Sequence, residues 1–344
     1  MGVDKVKAIV FKSRGVWAYE DRPEPQIKKD DDMIVKVLAC SICGTDVHIL
    51  ADPPGVAAND GIILGHEFVG EVLEVGPGVR NFKKGDHLIC DNNIPCGVCP
   101  ACQMGHSNMC KNVQAMGSGT DGVFTSRVCI PEKNAAKIPA DLSLDKAIFA
   151  EPLNCVMGAM KKANIQNGDT VVVLGGGPIG MYFTTLCKAR GAAKVIVSEV
   201  SDFRAKHCMS AGADVIVNPK EEDIEAAVLR ETDGLGADLV IDAVGVLLPD
   251  AIRIVRPAGD IILFGMNSSV QEKITQADLV IKGITVHGNF IGDHTLFQVA
   301  RLLASDTLDF SHMITHKLPL SKFGEGLEAM RDGSAIEVIL YPEE

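Results

Sequence analysis

The sequence predicts an α/β fold in which a β-rich N-terminal domain is followed by a doubly wound parallel-sheet domain. Three observations indicate this class. Short alternating strands separated by Gly and Pro occupy the first 155 residues, continuous apolar runs follow, and segments of helical period lie between those runs. A chain of 344 residues also exceeds the size at which one hydrophobic core usually stops growing.

The first predicted domain spans residues 1–155. Its strand candidates are "KAIVF", "MIVKVLAC", "FVGEVLEVG", "DHLIC" and "SRVCI". Their spacing is typical of a compact all-β or α+β unit with functional loops. The polar turn "ANIQNGD" then marks the change to a different pattern.

The second predicted domain spans residues 156–290. Six apolar runs fit strands buried on both faces of a parallel sheet: "TVVVLGG", "KVIVSEV", "DVIVN", "DLVIDAV", "DIILFG" and "TVHGNF". Helical segments such as "IGMYFTTLCKARG" close on a glycine that suits a helix C-terminus. Residues 291–344 are helical and then end on a strand, "AIEVILY", which the pattern alone leaves open to either domain.

Charge and hydropathy exclude several classes of function. The chain has 33 basic and 45 acidic residues, a net charge of −12, which argues against general binding to nucleic acid or anionic membranes. No run reaches the roughly 20 apolar residues of a membrane span. The start, "MGVDKVKAIVF", lacks the features of a secretion signal. We therefore expect a cytoplasmic protein whose partners are small molecules, with no nucleic acid and no membrane.

A glycine-rich turn in the second domain predicts a dinucleotide site. "VVVLGGGPIGMYF" places Gly175, Gly177 and Gly180 in GxGxxG spacing between a strand and a helix. The glycines allow the tight turn, the approach of a pyrophosphate and close packing of helix on strand. Pro178 and Ile179 lie between the last two glycines, at the helix N-terminus that would bind the phosphates.

An acidic residue near the end of the next strand indicates which dinucleotide is used. Glu199 lies 24 residues beyond Gly175, where a carboxylate would accept hydrogen bonds from ribose hydroxyls and repel a 2′-phosphate. No arginine follows until Arg204, which we include in the predicted cofactor site. This arrangement favours NAD over NADP.

Cysteine spacing predicts a structural metal site. Cys96, Cys99, Cys102 and Cys110 lie on one loop with spacings of three, three and eight residues. Four thiolates complete a tetrahedral Zn²⁺ shell and leave no open position, which is typical of a structural site. Chance clustering of core cysteines is the alternative, but the Pro and Gly between the thiols indicate an exposed loop.

A second metal site would combine distant segments. Cys43 follows the strand "IVKVLAC", and His66 and Glu67 follow Gly65, which would let the backbone approach a metal closely. One thiolate, one imidazole and one carboxylate leave a coordination position free, as a catalytic zinc requires. Cys40 and Cys43 also form a CxxC pair, but no thioredoxin-like unit surrounds them, and we expect Cys40 to be buried in its strand.

The remaining cysteines have no metal-binding spacing. We expect them to be small core hydrophobes: Cys90, Cys129, Cys155, Cys187 and Cys208.

Several motifs, in order through almost the whole chain, resemble the zinc-dependent medium-chain dehydrogenases. They are "CGTDVH", "GHEFVGEV", "VGPGV" followed by "GDHL", the four-cysteine loop, "AEPL" and "GGGPIG". Among the subgroups, the chain looks closest to the sorbitol, threonine and butanediol dehydrogenases. The resemblance implies a GroES-like catalytic domain, a Rossmann NAD-binding domain and a C-terminal segment, residues 291–344, that returns to the catalytic domain. It also implies one catalytic and one structural Zn²⁺ per subunit and a homodimer or homotetramer.

The resemblance also assigns roles in the catalytic site. Cys43 and His66 would hold the zinc, and Glu67, Glu151 or a water bridged to a glutamate would complete its shell. Thr45 would contact the substrate oxygen, and His48 would be the next member of a proton relay. Apart from the resemblance, we expect Asp46 to orient the loop or to hold a metal ligand in place.

The implied function is NAD-dependent interconversion of a secondary alcohol and its ketone. The substrate would be a polyol, a sugar alcohol or an amino alcohol, and a bulkier alcohol such as a steroid stays open. Two alternatives are a zinc-free quinone or enoyl reductase on the same fold and a non-enzymatic zinc- and NAD-binding protein. Zinc-free reductases lack the metal-binding residues found here. A protein that only binds zinc and NAD would not need the proton relay of Thr45 and His48.

Overall fold

The computed structural model describes residues 5–305 and 307–343. The chain forms two compact units, each with its own internal contacts. Unit 1 runs from the N-terminus to Asn154 and resumes at Asp293, and unit 2 comprises Cys155–Gly292. Unit 2 is therefore an insertion within unit 1.

The N-terminal part of unit 1 consists mainly of short strands. The strands are β1 (Lys5–Ser13), β2 (Val16–Pro23), β3 (Asp32–Ser41), β4 (Glu67–Val75), β5 (His87–Cys90), β6 (Asn93–Ile94), β7 (Gln114–Ala115), β8 (Arg127–Pro131) and β9 (Ala135–Ile138). The helices are α1 (Gly44–Ile49), α2 (Pro100–Gln103), α3 (Leu144–Ala147) and α4 (Ala150–Met160), the last of which continues into unit 2. All five strands predicted from the sequence of this part are present.

Unit 2 alternates strands and helices. The strands are β10 (Thr170–Leu174), β11 (Lys194–Ser198), β12 (Val215–Val217), β13 (Ala237–Asp242), β14 (Val255–Leu263) and β15 (Thr285–Gly288). The helices are α5 (Pro178–Ala189), α6 (Asp202–Ser210), α7 (Ile224–Glu231), α8 (Leu248–Ile254) and α9 (Gln276–Lys282). Each strand corresponds to one of the six apolar runs.

The strands of unit 2 form one parallel sheet in the order β12-β11-β10-β13-β14-β15. This is the doubly wound order, in which the chain moves outward from β10 first in one direction and then in the other. Side chains of β10 from Val171 to Leu174 are almost completely buried, as expected for a strand covered on both faces. The predicted parallel-sheet fold of this part is confirmed.

The C-terminal part of the chain returns to unit 1. It contains α10 (Leu296–Leu303), β16 (Ile314–Pro319), α11 (Phe323–Arg331) and β17 (Glu337–Tyr341). Strand β17 pairs antiparallel with β3, so that Ile339 lies opposite Ser41. The resulting sheet has the order β16-β17-β3-β4-β5-β9, and β8 pairs with the other end of β3. Short 3₁₀ helices lie at Ser107–Met109, Glu132–Asn134, Ser311–Met313 and Leu320–Lys322.

Each unit has its own hydrophobic core. In unit 1, strands β1, β3 and β4 pack with α11, and Phe124 and Phe323 lie together with ring centroids 5.3 Å apart. In unit 2, the central strands pack with α7 and α8. Among the described residues, no helix combines the length and apolar character that crossing a bilayer would require.

Candidate active site and metal centres

Cys43 lies in the connection between β3 and α1. It is the residue before the first turn of α1, and its backbone N–H donates a 2.9 Å hydrogen bond to Oδ2 of Asp46. A carboxylate in the first turn of a helix accepts the free N–H groups there and fixes the path of the chain. Asp46 therefore holds Cys43 in place, which agrees with the orienting role expected for it.

His66 and Glu67 lie at the start of β4, directly after Gly65. Gly65 has a φ of +86°, and a Cβ at this position would approach the Phe124 ring to 2.4 Å. The sequence predicted that this glycine makes room for a metal. The structure shows that a Cβ at Gly65 would meet Phe124, and the approach of the backbone to a metal stays a prediction.

Cys43, His66 and Glu67 come together as one cluster. Each offers a ligand atom, and these atoms all lie within 4.8 Å of one another. One ion can bridge such a set, because bonds from Zn²⁺ to N, O and S ligands are about 2.0–2.3 Å long. Nε2 of His66 lies 4.0 Å from Oε1 of Glu67. The other ring nitrogen, Nδ1, lies 3.8 Å from Oδ1 of Asp46, a buried oxygen with no hydrogen-bond partner among the described residues.

This arrangement fits a metal-binding histidine. Ligand histidines turn one ring nitrogen to the metal and the other to a carboxylate or carbonyl. Here Asp46 is the carboxylate behind the ring, and Nε2 is left to face the cluster.

The charges and the burial of the cluster favour the binding of a cation. Cys43 is partly exposed as a residue, but its thiol group is enclosed. This enclosure raises the pKa of the thiol well above its usual range, and the charges of Glu67 and Asp46 raise it further. Burial raises the pKa of Asp46 to about 6. Burial lowers the pKa of His66, but the carboxylates of Asp46, Glu67 and Glu151 outweigh this effect, and the pKa is raised. A divalent cation would stabilise the thiolate and the carboxylates of such a cluster.

Glu151 stands apart from the three-residue cluster. It is buried in the first turn of α4 and close enough to affect the pKa of Cys43 and of His66, but its carboxylate is outside the set of ligand atoms within 4.8 Å. In this structure, therefore, Glu67 and not Glu151 groups with Cys43 and His66.

Thr45 and His48 lie on helix α1, next to the cluster. Oγ1 of Thr45 lies 3.7 Å from Sγ of Cys43. His48 is one turn further along the helix and is exposed. Residues three apart share one face of a helix, so the two side chains are neighbours on that face.

The four-cysteine loop also gathers its thiols. The Sγ atoms of Cys96, Cys99, Cys102 and Cys110 lie within 4.8 Å of one another, and that of Cys99 is 3.5 Å from Cys102 and 3.9 Å from Cys110. Hydrogen bonds from the backbone N–H groups of Val98 and Cys99 lower the pKa of Cys96 to about 6. Four converging sulfurs with a stabilised thiolate fit a tetrahedral Zn²⁺.

The glycine-rich turn connects β10 to α5. Gly175 has a φ of +97°, and helix α5 begins at Pro178, directly after Gly177. A Cβ at Gly180 would lie 1.9 Å from the carbonyl oxygen of Gly175, so only glycine fits where helix and strand meet. A Cβ at Gly177 would meet no atom of the described residues within 4 Å. Ile179 lies in the first turn of α5.

Glu199 lies beside this turn, one residue after β11. Its carboxylate accepts hydrogen bonds from the backbone N–H groups of Gly176 and Ser201, both 2.8 Å long. Arg204 lies in α6, and its backbone N–H donates to Oγ of Ser201. Glu199 thus lies beside the glycines, and its contact with a ribose stays a prediction.

Predictions for the other cysteines were partly wrong. Cys40 is buried in β3, and Cys90, Cys187 and Cys208 are also buried. Cys129 and Cys155 are only partly buried. Cys129 lies on β8, whose alternate residues face away from the core, and Cys155 is the first residue of unit 2.

Two residues next to the cluster were missed by the sequence analysis. The hydroxyl of Ser41 donates a hydrogen bond to Oε2 of Glu67, and the buried Glu337 lies near both. Neither has a motif of its own. Their proximity depends on the pairing of β3 with β17, which are about 300 residues apart in sequence.

Comparison with known proteins identifies the two units. Residues 29–140 match the family described as alcohol dehydrogenase GroES-like domain, and residues 178–305 match the family described as zinc-binding dehydrogenase. The L-threonine 3-dehydrogenase of Pyrococcus abyssi is 36% identical over 323 residues, which cover 90% of each chain.

Solved structures agree with these matches. A protein from Sinorhizobium meliloti described as a zinc-binding dehydrogenase, bound to NADP, has a TM-score of 0.93 and 31% identity, covering 98% of this chain and 100% of that one. The 2R,3R-butanediol dehydrogenase of Bacillus subtilis has a TM-score of 0.89 and 27% identity, with the same coverage. The predicted combination of a GroES-like and a Rossmann domain is confirmed. The chain therefore belongs to the zinc-dependent medium-chain alcohol dehydrogenases.

Proposed function

We propose that this protein is an NAD-dependent dehydrogenase that interconverts a secondary alcohol and its ketone. The observation that carries the proposal is the cluster of Cys43, His66 and Glu67, which offers three ligands of different chemistry beside the hydroxyl of Thr45. Three protein ligands leave a coordination position for substrate, in contrast to the closed shell of the four-cysteine loop.

Two zinc ions per chain fit these donor sets. Cys43, His66 and a carboxylate, Glu67 or Glu151, would hold the catalytic ion, and the four cysteines would hold the structural one. A zinc ion at the catalytic site would act as a Lewis acid toward the substrate oxygen and lower the pKa of the alcohol. Asp46 would keep the imidazole of His66 in its metal-facing orientation.

Oxidation of an alcohol also releases a proton, which must leave an enclosed site. The Thr45 hydroxyl, next to Cys43, would accept a hydrogen bond from the substrate hydroxyl and pass its proton outward. His48, one turn along the helix and exposed, would take up that proton in its neutral form and release it to solvent.

The turn from Gly175 to Gly180 would bind the pyrophosphate of the dinucleotide, which supplies the hydride acceptor. The N–H groups at the start of α5 point away from their own helix and are free for phosphate oxygens. Glu199 favours NAD, because its buried carboxylate would repel a 2′-phosphate at the ribose. The similar protein from Sinorhizobium meliloti is bound to NADP, so the preference of this protein for NAD should be measured directly.

For the substrate, we infer a secondary alcohol with a second polar group nearby. Similar proteins are named as dehydrogenases of L-threonine, of 2R,3R-butanediol and of galactitol-1-phosphate. These names share a secondary hydroxyl next to another hydroxyl or an amine. A polyol, a sugar alcohol or an amino alcohol fits that description.

Metal analysis and a substrate panel test the proposal together. Purified protein should contain two zinc ions per chain and reduce NAD⁺ with at least one member of a panel of polyols, sugar alcohols, threonine and larger secondary alcohols. Cys43→Ser should retain one zinc ion and lose activity. Absence of zinc together with reduction of a quinone or an enoyl substrate would favour the zinc-free reductase instead. Two bound zinc ions without activity on any alcohol would favour a binding protein.

A further inference from the structure

The strand order of unit 2 defines the place of a crevice. The chain moves outward from β10 through β11 to β12 and then crosses to β13, on the other side of β10. In doubly wound sheets, ligands bind at the carboxyl ends of the two strands between which the direction reverses. Here those strands are β10 and β13. The glycine-rich turn follows β10, and residues 243–247, which we call the β13 loop, follow β13 on the opposite side of this crevice.

One buried carboxylate fixes the β13 loop. Asp242 is the last residue of β13 and is 2% exposed. Its Oδ1 accepts hydrogen bonds from the backbone N–H groups of Val244, at 2.9 Å, and Gly245, at 2.8 Å. Its Oδ2 accepts one from the backbone N–H of Leu247 at 2.9 Å. Hydrogen bonds to a charged acceptor are stronger than neutral ones, so three of them determine the conformation of this short loop.

The backbone of Asp242 connects the same loop to the segment after β14. Its carbonyl oxygen accepts hydrogen bonds from the N–H groups of Phe264 and Gly265, both 3.0 Å long. Gly245 has a φ of +96°, and a Cβ at Gly265 would lie 2.3 Å from the backbone nitrogen of Gly245. The two segments therefore pack backbone against backbone, with no room for a side chain between them. This packing limits the β13 loop to one side of the segment after β14.

The β13 loop also packs against the glycine-rich turn. The backbone N–H of Ala243 donates a 3.0 Å hydrogen bond to the carbonyl oxygen of Leu174, the last residue of β10. A Cβ at Gly175 would lie 2.5 Å from Cγ2 of Val244, so the side chain of Val244 covers this glycine. Val244 is nevertheless 45% exposed. Its remaining surface therefore borders the open space beside the turn, where the dinucleotide would bind.

We propose that Asp242 is a positioning residue for the dinucleotide: its carboxylate fixes the β13 loop, and the loop places Val244 against Gly175 as one wall of the crevice. The inference rests on the proposed binding of NAD. A protein binds its ligand more weakly in proportion to the fraction of molecules that have left the binding-competent conformation. Loss of the hydrogen bonds to Asp242 should therefore weaken NAD⁺ binding, although Asp242 itself is buried.

Asp242→Asn tests the carboxylate at constant size. An amide has one acceptor oxygen and an NH₂ group that only donates, so in either orientation it loses at least one of the three hydrogen bonds. Asp238→Asn is the matched control, because Asp238 lies near the other end of the same strand. Its carboxylate also accepts a backbone hydrogen bond, from Thr170 at 2.8 Å, and it pairs with Arg256 at 2.6 Å.

Two quantities are measured on full-length protein below its melting temperature: the dissociation constant of NAD⁺ by calorimetric titration, and hydrogen exchange of the peptide that covers the β13 loop. In Asp242→Asn the dissociation constant should rise about 10-fold and the loop should exchange faster. Removal of a negative charge near the pyrophosphate would by itself strengthen binding, so weaker binding indicates the loop and not the charge. Asp238→Asn should lower the melting temperature and leave both quantities unchanged.

Val244→Ala is a second test that does not depend on a buried substitution. It removes the methyl groups that cover Gly175 and border the crevice. NAD⁺ binding should weaken at least about threefold, because apolar contact area is lost. The melting temperature should be unchanged, since the side chain is half-exposed. Val280→Ala changes another exposed valine of unit 2 and should leave NAD⁺ binding unchanged.

Four results would overturn the inference. Binding of NAD⁺ by Asp242→Asn as tight as, or tighter than, that of the unsubstituted protein would show that the carboxylate does not position the loop for the dinucleotide. Equal weakening in Asp242→Asn and Asp238→Asn would show a general loss of stability. Unchanged binding in Val244→Ala would show that the β13 loop is not a wall of the crevice. If the unsubstituted protein bound neither NAD⁺ nor NADP⁺, the proposed function would fall together with this inference, whereas the first three results leave dinucleotide binding intact.

Discussion

The hydroxyl of Thr45 lies beside Cys43, a proposed metal ligand. It can donate one hydrogen bond and accept another at the same time. Its Oγ1 is 3.7 Å from Sγ of Cys43. Thr45→Val keeps the shape of the side chain and removes the hydroxyl, so we expect kcat to fall about 100-fold, within the usual contribution of acid–base groups. Zinc content should be unchanged, because the hydroxyl is not a ligand.

Thr45→Ser provides the control for this prediction. It restores the hydroxyl, and most of the activity should return. The proton-relay role would be wrong if steady-state kinetics gave equal rates for the valine variant and the unsubstituted protein.

Under the proposed function, the charge of Glu199 would determine the choice of dinucleotide. Its carboxylate is buried and bonded to the backbone N–H groups of Gly176 and Ser201. Glu199→Gln has the same size and no charge, so repulsion of a 2′-phosphate is removed. We expect the ratio of kcat/KM for NAD to that for NADP to fall at least about 10-fold, which corresponds to about 1.4 kcal/mol. Glu221→Gln, a change of an exposed glutamate in the same unit, should leave the ratio unchanged.

Individual residues differ in how far the sequence alone could predict them. Cys43 and His66 could be proposed as metal ligands from the sequence because both belong to motifs with recognisable neighbours, and the structure brings them together. Ser41 and Glu337 were not, because a serine and a glutamate in strands have no distinguishing pattern until the strands are paired. Gly65 was singled out correctly, but the contact with Phe124 that requires it arises only in the folded chain.

At the scale of elements, two glycines of the turn between β10 and α5 have different expected roles, one in cofactor binding and one in stability. A Cβ at Gly177 meets nothing, whereas one at Gly180 would lie 1.9 Å from the Gly175 carbonyl oxygen. Gly177→Ala should therefore leave the melting temperature unchanged and weaken NAD binding, because the methyl group occupies space that the pyrophosphate needs. Gly180→Ala should lower the free energy of unfolding by about 2–3 kcal/mol, since overpacking forces helix and strand apart.

Calorimetry and a binding titration distinguish these two effects. Each variant is the control for the other, because both add one methyl group to the same turn. A fall in melting temperature for Gly177→Ala, or none for Gly180→Ala, would contradict the assignment of separate roles.

Elements with a strong local signal were the ones predicted. The six strands of unit 2 are continuous apolar runs, and all six are present in the parallel sheet. Strands β2 and β16 were not predicted, because their residues are largely half-buried or exposed and include charged side chains. Their extended conformation comes from pairing with β1 and β17, respectively, and therefore from tertiary structure.

On the scale of the whole molecule, the chain leaves unit 1 at Asn154 and returns to it at Asp293. An inserted unit of this kind needs its two ends close together. Here the side-chain amide of Asn289 donates to the backbone carbonyl of Cys155, and Nζ of Lys162 donates to the carbonyl of Gly288. The buried residues of its core all come from within the insertion. Unit 2 thus has the features of a domain that folds without the rest of the chain.

Expression of residues 150–292, which keeps helix α4 whole, tests this independence. Because the glycine turn, Glu199 and the sheet are all inside the fragment, we expect cooperative thermal unfolding and NAD⁺ binding. NAD⁺ at 100 times its Kd should then stabilise the fragment by about 2.7 kcal/mol. The same fragment with Gly177→Ala should unfold at the same temperature without NAD⁺ and gain less from it. A fragment without cooperative unfolding would mean that unit 2 depends on unit 1 for its stability.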